Sequence, residues 1–132
     1  MLSLPPSIRI FLARGVTDMR KQIDGLAGLV EHALKHDPFS GHLFVFCNRS
    51  RNRLKILYWE EGGYWLLHKR LERGRFAWPD GDTPVINLSA TQLHALLGGL
   101  DFRAARQRRH PLGPAREGTA ARALRRFRQP RP

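Results

Sequence analysis

Histidines and carboxylates are the raw material for a catalytic or metal site, and this chain has 6 of the first and 11 of the second. His32 and His36 lie four residues apart. On a continuous helix that spacing puts both imidazoles on one face, where they could share a metal. No Glu stands between them in the metalloprotease arrangement, so a solvated helix face is the simpler expectation. His42, His68, His94 and His110 have no second ligand at a recognisable spacing. Asp18, Asp24, Glu31 and Asp37 suggest the acid cluster of polynucleotidyl transfer. At those separations on one helix they cannot all converge, given about 3.6 residues per turn. Capping and surface pairing account for them better. There is no Gly-rich phosphate loop, nucleophile elbow or Cys/His zinc pattern. Cys47 is a lone cysteine, which excludes an intramolecular disulfide. No catalytic residue, metal or cofactor is therefore assigned.

Charge is the stronger signal. The 132 residues carry a formal charge of +12. Residues 1–100 hold 13 Lys/Arg against 9 Asp/Glu, whereas residues 101–132 hold 10 Arg against Asp101 and Glu117. Such an arginine-rich end attracts polyanions, because each phosphate contact releases condensed counterions. Basic residues also alternate with aromatics in the middle of the chain. A strand over Arg53–Glu60 puts Arg53, Lys55, Leu57 and Trp59 on one face, and a strand over Tyr64–Leu71 alternates Trp65, Leu67 and Lys69 with His68 and Arg70. Cations can meet phosphates there while flat rings stack on bases. The candidate nucleic-acid-binding residues are Arg20, Lys21, Arg53, Lys55, Lys69, Arg70, Arg73, Arg75, Arg106, Arg108 and Arg109. Aromatic and β-branched residues are also simply good strand formers, so the hairpin alone does not decide the matter.

The elements that must position these residues follow from hydrophobic period. Ile8–Leu12 is a short β-like run, and Arg14-Gly15-Val16 is expected to turn the chain. Thr17 or Asp18 then caps a helix whose Met19, Ile23, Leu26, Val30, Ala33 and Leu34 form one stripe. Gly25 and Gly28 inside that helix suggest close approach of another element. His36-Asp37-Pro38 ends it. Leu43–Cys47 suits a buried strand, Asn48–Asn52 a polar connector, and Glu61-Gly62-Gly63 a hairpin loop. Val85–Leu88 is a last strand. Ser89 caps a second helix with Leu93, Leu96, Leu97 and Leu100 on its apolar side. The expected fold is α+β, a small antiparallel sheet with two packed helices over residues 1–103. Residues 104–132, with Pro among arginines, are expected to form a flexible basic tail. No apolar run approaches the roughly 18 residues needed to span a bilayer, and the N-terminus lacks a basic signal region, so a cytoplasmic protein is expected.

Several longer motifs occur in a recognisable order. Gly15-Val16-Thr17-Asp18-Met19-Arg20-Lys21-Gln22-Ile23-Asp24-Gly25-Leu26 is followed by Asp37-Pro38-Phe39-Ser40-Gly41-His42-Leu43-Phe44-Val45-Phe46 and Lys55-Ile56-Leu57-Tyr58-Trp59. Then come Lys69-Arg70-Leu71-Glu72-Arg73-Gly74-Arg75-Phe76-Ala77-Trp78-Pro79 and Leu96-Leu97-Gly98-Gly99-Leu100-Asp101. Over residues 4–103 the chain resembles the TnpB accessory proteins of the insertion sequence 66 family, which are distinct from the RNA-guided nuclease sharing that label. It departs from the family's pattern after Arg103. The resemblance implies a bacterial helper of DNA transposition, acting beside a DDE transposase and a second small protein. It implies no catalytic residues, and it marks Thr17–Lys21 and Lys69–Arg73 as the candidate functional surface, with Glu72 able to pair with a nearby Arg. The leading expectation is a non-enzymatic protein that binds the element's DNA ends, the transposase, or both. The rivals are a module that docks the transposase through the aromatic hairpin without touching DNA, and a metal-dependent nuclease built on His32 and His36.

Overall fold

The computed structural model describes residues 7–98. The chain runs β1 (Ile10–Val16), α1 (Ile23–His32), β2 (Leu43–Cys47), β3 (Arg53–Glu60), β4 (Gly63–Arg70), β5 (Val85–Leu88) and α2 (Ala90–Leu97). The five strands form one sheet in the order β4-β3-β2-β1-β5. All pairings are antiparallel except β1 with β2, which run parallel around the α1 crossover. The expected α+β sheet is therefore present, but it is mixed. The parallel pair follows from the helix between the two strands, since a crossover returns the chain in its original direction.

Leu43-Phe44-Val45-Phe46-Cys47 is buried at every position because β2 is the central strand and has a helix layer on each face. On one face Phe11, Ala13, Phe44, Phe46 and Leu57 pack under Leu26, Val30 and Leu34 from α1 and the turn after it. On the other, Ile10, Leu12, Val45, Leu54 and Ile56 pack with Leu93, Leu96 and Leu97 of α2 and with Phe76 and Trp78 from the β4–β5 connection. The β3–β4 turn is Glu61-Gly62, with φ of 45° and 85°. Two successive positive φ values make a type I′ turn, whose twist matches the strands. Ser89 caps α2 through a reciprocal box with Gln92, at 3.0 and 2.8 Å.

Four local expectations need correction. Arg14-Gly15-Val16 does not turn the chain but continues β1, where a bulge sets Ala13, Arg14 and Gly15 against the single residue Phe46 of β2. Thr17 and Asp18 do not cap α1. Thr17 donates its amide to the Cys47 carbonyl at 2.9 Å, and the Asp18 carboxylate accepts the Arg20 amide at 2.9 Å. The helix starts only at Ile23, because the Lys55 ammonium captures the Met19 and Lys21 carbonyls that a longer helix would use itself. At the other end α1 stops at His32. Lys35 adopts φ 59°, and the Leu34 and His36 amides turn back to the Leu29 and Val30 carbonyls. The glycines of α1 do not accommodate a neighbouring element either: a Cβ at Gly28 would meet nothing within 4 Å, and one at Gly25 only the Lys21 side chain. Among the described residues, no helix is long and apolar enough to cross a membrane.

Candidate functional site

The parallel pairing of β1 and β2 brings both carboxyl ends to one end of the sheet. Antiparallel β3 starts there, β4 finishes there, and β5 starts there. The connections leaving this end are the 17–22 loop, the 48–52 turn and the 71–84 segment. Together with the strand ends beside them, which hold Arg14, Arg53, Lys55, Lys69 and Arg70, they carry every Lys and Arg of the described residues except Arg9 and Lys35.

The 48–52 turn is stapled by Asn48. Its Oδ1 accepts the Asn52 and Arg53 amides at 3.1 and 3.0 Å, and its Nδ2 donates to Asn52 Oδ1 at 2.8 Å. That turn in turn holds the basic loop after β4: the Leu71 amide donates to the Asn52 carbonyl at 2.8 Å, and the Phe76 amide to the Arg51 carbonyl at 2.7 Å. Arg73 and Arg75 are thereby carried, exposed, beside Arg53 and Arg70. Arg53 and Arg70 face each other directly across β3 and β4, and Lys55 faces His68 two pairs further in, on the same face. The Lys55 bonds to the 17–22 loop bring Arg20 and Lys21 to the same face. The two motif segments, Thr17–Lys21 and Lys69–Arg73, thus meet at one end of one sheet.

Not every candidate cation is free to bind. Lys55 is 2% exposed, and its Nζ donates to the Met19 and Lys21 carbonyls at 2.8 Å each, so it acts as a strut between β3 and the 17–22 loop. Lys69 is half-buried and donates to the Leu97 carbonyl at 2.6 Å, closing the C-terminus of α2, and burial holds its ammonium below the ordinary lysine range. Both were expected on the binding surface, and in the structure both ammoniums are engaged with backbone carbonyls. Arg20 is exposed but forked onto Asp18, with Nη2 to Oδ2 at 2.7 Å, and these hydrogen bonds pull the Asp18 carboxyl down to about 2. Arg70 pairs with Glu72 at 2.9 Å, as the sequence suggested for that glutamate. Lys21, Arg53, Arg73 and Arg75 are exposed and have no ion-pair partner among the described residues. Arg106, Arg108 and Arg109 lie outside the described residues.

His68 registers the local field: desolvation first, then Lys55, Arg53 and Arg70, push its imidazole below the usual range. His32 and His36 are not brought together. His32 ends α1 beside Glu31, at 3.6 Å, whereas His36 lies beyond the helix and packs on Phe11 with ring centroids 4.2 Å apart. Among the described residues no group of three His, Cys, Asp or Glu side chains could hold a metal.

Two arginines that sequence reasoning passed over belong to the same end. Arg51 Cζ lies 5.5 Å from the centroid of the Trp78 ring, and the Arg14 side chain occupies the space a Cβ at Gly81 would need. The indole Nε1 of Trp78 donates to the Ala13 carbonyl at 3.1 Å, tying the two places together. A Trp conserving its N–H for a buried carbonyl while offering its face was the available signal.

The opposite end has another character. Phe39 is 56% exposed and stands edge-on to Trp59 at 4.8 Å, with Tyr64 5.0 Å from Trp59. Glu31, Asp37, Glu60 and Glu61 lie at this end, with Arg9 and Lys35 as its cations.

Residues 8–107 match the family described as IS66 Orf2-like protein. Two relatives come from Sinorhizobium fredii. Uncharacterized protein y4hO is 43% identical over 103 residues, 78% of this chain and 90% of the relative, and uncharacterized protein y4jC is 34% identical over 112 residues, 85% and 94% respectively. No solved structure gives a significant match. The motif segments that converge on the basic end of the sheet are thus those of an insertion-sequence accessory protein, and the chain belongs to the IS66 Orf2-like family.

Proposed function

We propose that this protein is a non-catalytic helper of transposition that grips DNA at the ends of its insertion sequence with the basic end of the sheet. The supporting observation is the one-sided placement of its cations: Lys21, Arg53, Arg73 and Arg75 are exposed, and among the described residues without an ion-pair partner, at the end where both motif segments meet. A surface of this kind neutralises backbone phosphates and reads position more than sequence. The non-catalytic part is supported by the structural engagements of the candidate groups, His36 against Phe11 and Asp18 with Arg20. The test is titration of the full chain against duplex DNA from the element's ends over a range of salt. The logarithm of affinity should fall linearly with the logarithm of salt concentration. Tight binding without salt dependence, or no binding, rules the reading out.

A second reading rests on the other end. Phe39, Trp59 and Tyr64 form an aromatic corner beside the unpaired outer edge of β4, the kind of surface that docks protein. In that reading the partner is the element's transposase or its other small accessory protein. Co-purification that survives high salt and nuclease treatment, and is lost on Phe39→Ser, would favour it. The two readings occupy opposite ends, so one molecule can serve both.

A further inference from the structure

Most cations of the basic end are either exposed or paired, but Arg14 and Arg51 are neither. Both side chains are half-buried, and neither forms an ion pair with a described carboxylate. Each has a buried nitrogen without a hydrogen-bond acceptor, Nε of Arg14 and Nη1 of Arg51. A guanidinium cannot shed its charge, so a partly desolvated one without an anion is costly. The fold nevertheless keeps both in place. Gly81, at φ 146°, leaves room for the Arg14 guanidinium where any Cβ would collide with it. Arg51 is laid over Trp78 and against the Cys47 thiol, which burial pushes up in spite of that neighbouring charge. Trp78 joins the two, since its indole bonds to the carbonyl of Ala13, the residue before Arg14.

We infer that Arg14 and Arg51, both anchored through Trp78, form a binding site for phosphate groups of the DNA backbone. This rests on the DNA-binding reading and gives it a specific pair of ligands. Forked guanidinium donors match phosphate oxygens in pairs, and partial desolvation strengthens the attraction relative to the exposed arginines nearby. Trp78 and Gly81 are positioning residues: one supplies a platform for Arg51 and the other the space that the Arg14 guanidinium fills.

The test uses the full chain, with inorganic phosphate as probe against chloride at matched ionic strength. Binding is read by the Nε–Hε resonances of arginine and by the phosphate-dependent rise in unfolding temperature. Arg14→Lys and Arg51→Lys keep the charge and lose the fork, while Gly81→Ala keeps Arg14 and displaces it. Each should weaken phosphate binding about tenfold, the worth of one charge-assisted hydrogen bond. Arg9→Lys, at the opposite end of the sheet, should leave it unchanged. Circular dichroism of each variant checks folding, and Gly81→Ala and Arg51→Lys give independent readings if Arg14→Lys is unstable. Equal phosphate binding by wild type and all three site variants would overturn the proposal. Duplex DNA is then titrated into the same proteins. A tenfold loss in the three variants supports the assignment, whereas unaltered, salt-dependent DNA binding overturns the pair and leaves the DNA reading standing. Phosphate binding at the pair without any DNA binding would overturn the backbone assignment and the DNA reading together.

Discussion

A buried ammonium is tolerated when its N–H groups find acceptors, and Lys55 meets that condition with two carbonyls of the 17–22 loop. Its role is to hold that loop against the sheet. Lys55→Met should leave both carbonyls without this donor and cost roughly 2 to 4 kcal/mol, read as a lower urea midpoint. DNA affinity per folded molecule should hardly change, in contrast to Arg53→Ala, which should weaken DNA binding and leave stability alone. His42 offers a second residue-scale prediction. Its Nδ1 accepts the Arg9 amide at 2.9 Å, which requires an unprotonated nitrogen, and desolvation, then Arg9 and His36, hold its pKa below the usual 6.5. The unfolded chain therefore takes up this proton first as pH falls. Stability should be full above pH 6.5 and decline as pH drops through the lower folded value. His42→Asn keeps an acceptor near that position and cannot titrate, so it should flatten the slope of urea midpoint against pH in this window.

At the scale of elements, what was legible in the sequence is what local pattern controls. The apolar run Leu43–Cys47, the hairpin and the Ser89 cap each state their structure within a few residues, and each is observed. The start of α1 and the fate of Gly15 depend on partners far along the chain. Lys55 is 34 residues from Lys21, and Cys47 is 30 from Thr17, so no local period could reveal that these residues would claim the backbone. The candidate site divides the same way. Charge and motif order located the basic segments, but alternation could not tell that Lys55 and Lys69 point at carbonyls while Arg53 and Arg70 point at solvent. Gly28 turns one of these discrepancies into a test. It was expected to admit a neighbouring element, but a Cβ there would meet nothing within 4 Å. Its replacement by Ala should therefore show mainly the helix preference and the loss of unfolded-state freedom, a stabilisation of about 1 kcal/mol. Thermal or urea unfolding checks this; destabilisation would mean that α1 has a neighbour on that side.

Across the whole molecule, charge is sorted along the strand direction. The cations gather where β1 and β2 end and outnumber Asp18, Asp24, Glu72, Asp80 and Asp82 there, while Glu31, Asp37, Glu60 and Glu61 lie at the other end. The Lys69 bond to the Leu97 carbonyl brings the last turn of α2 to the basic end. A polyanion approaching that end would meet the summed field of its cations. Charge reversal can separate position from total charge. Arg53→Glu with Arg73→Glu, and Arg9→Glu with Lys35→Glu, change the net charge equally at opposite ends. If DNA binds the basic end, the first pair should lower affinity at least about tenfold and reduce the salt slope by roughly one per lost contact. The second pair should have a much smaller effect, which shrinks further as salt screens it over about 10 Å. Equal losses from both pairs would mean that DNA responds to net charge alone. Binding would then belong to the arginine-rich segment, and the convergence of the motif segments would have to serve a protein partner.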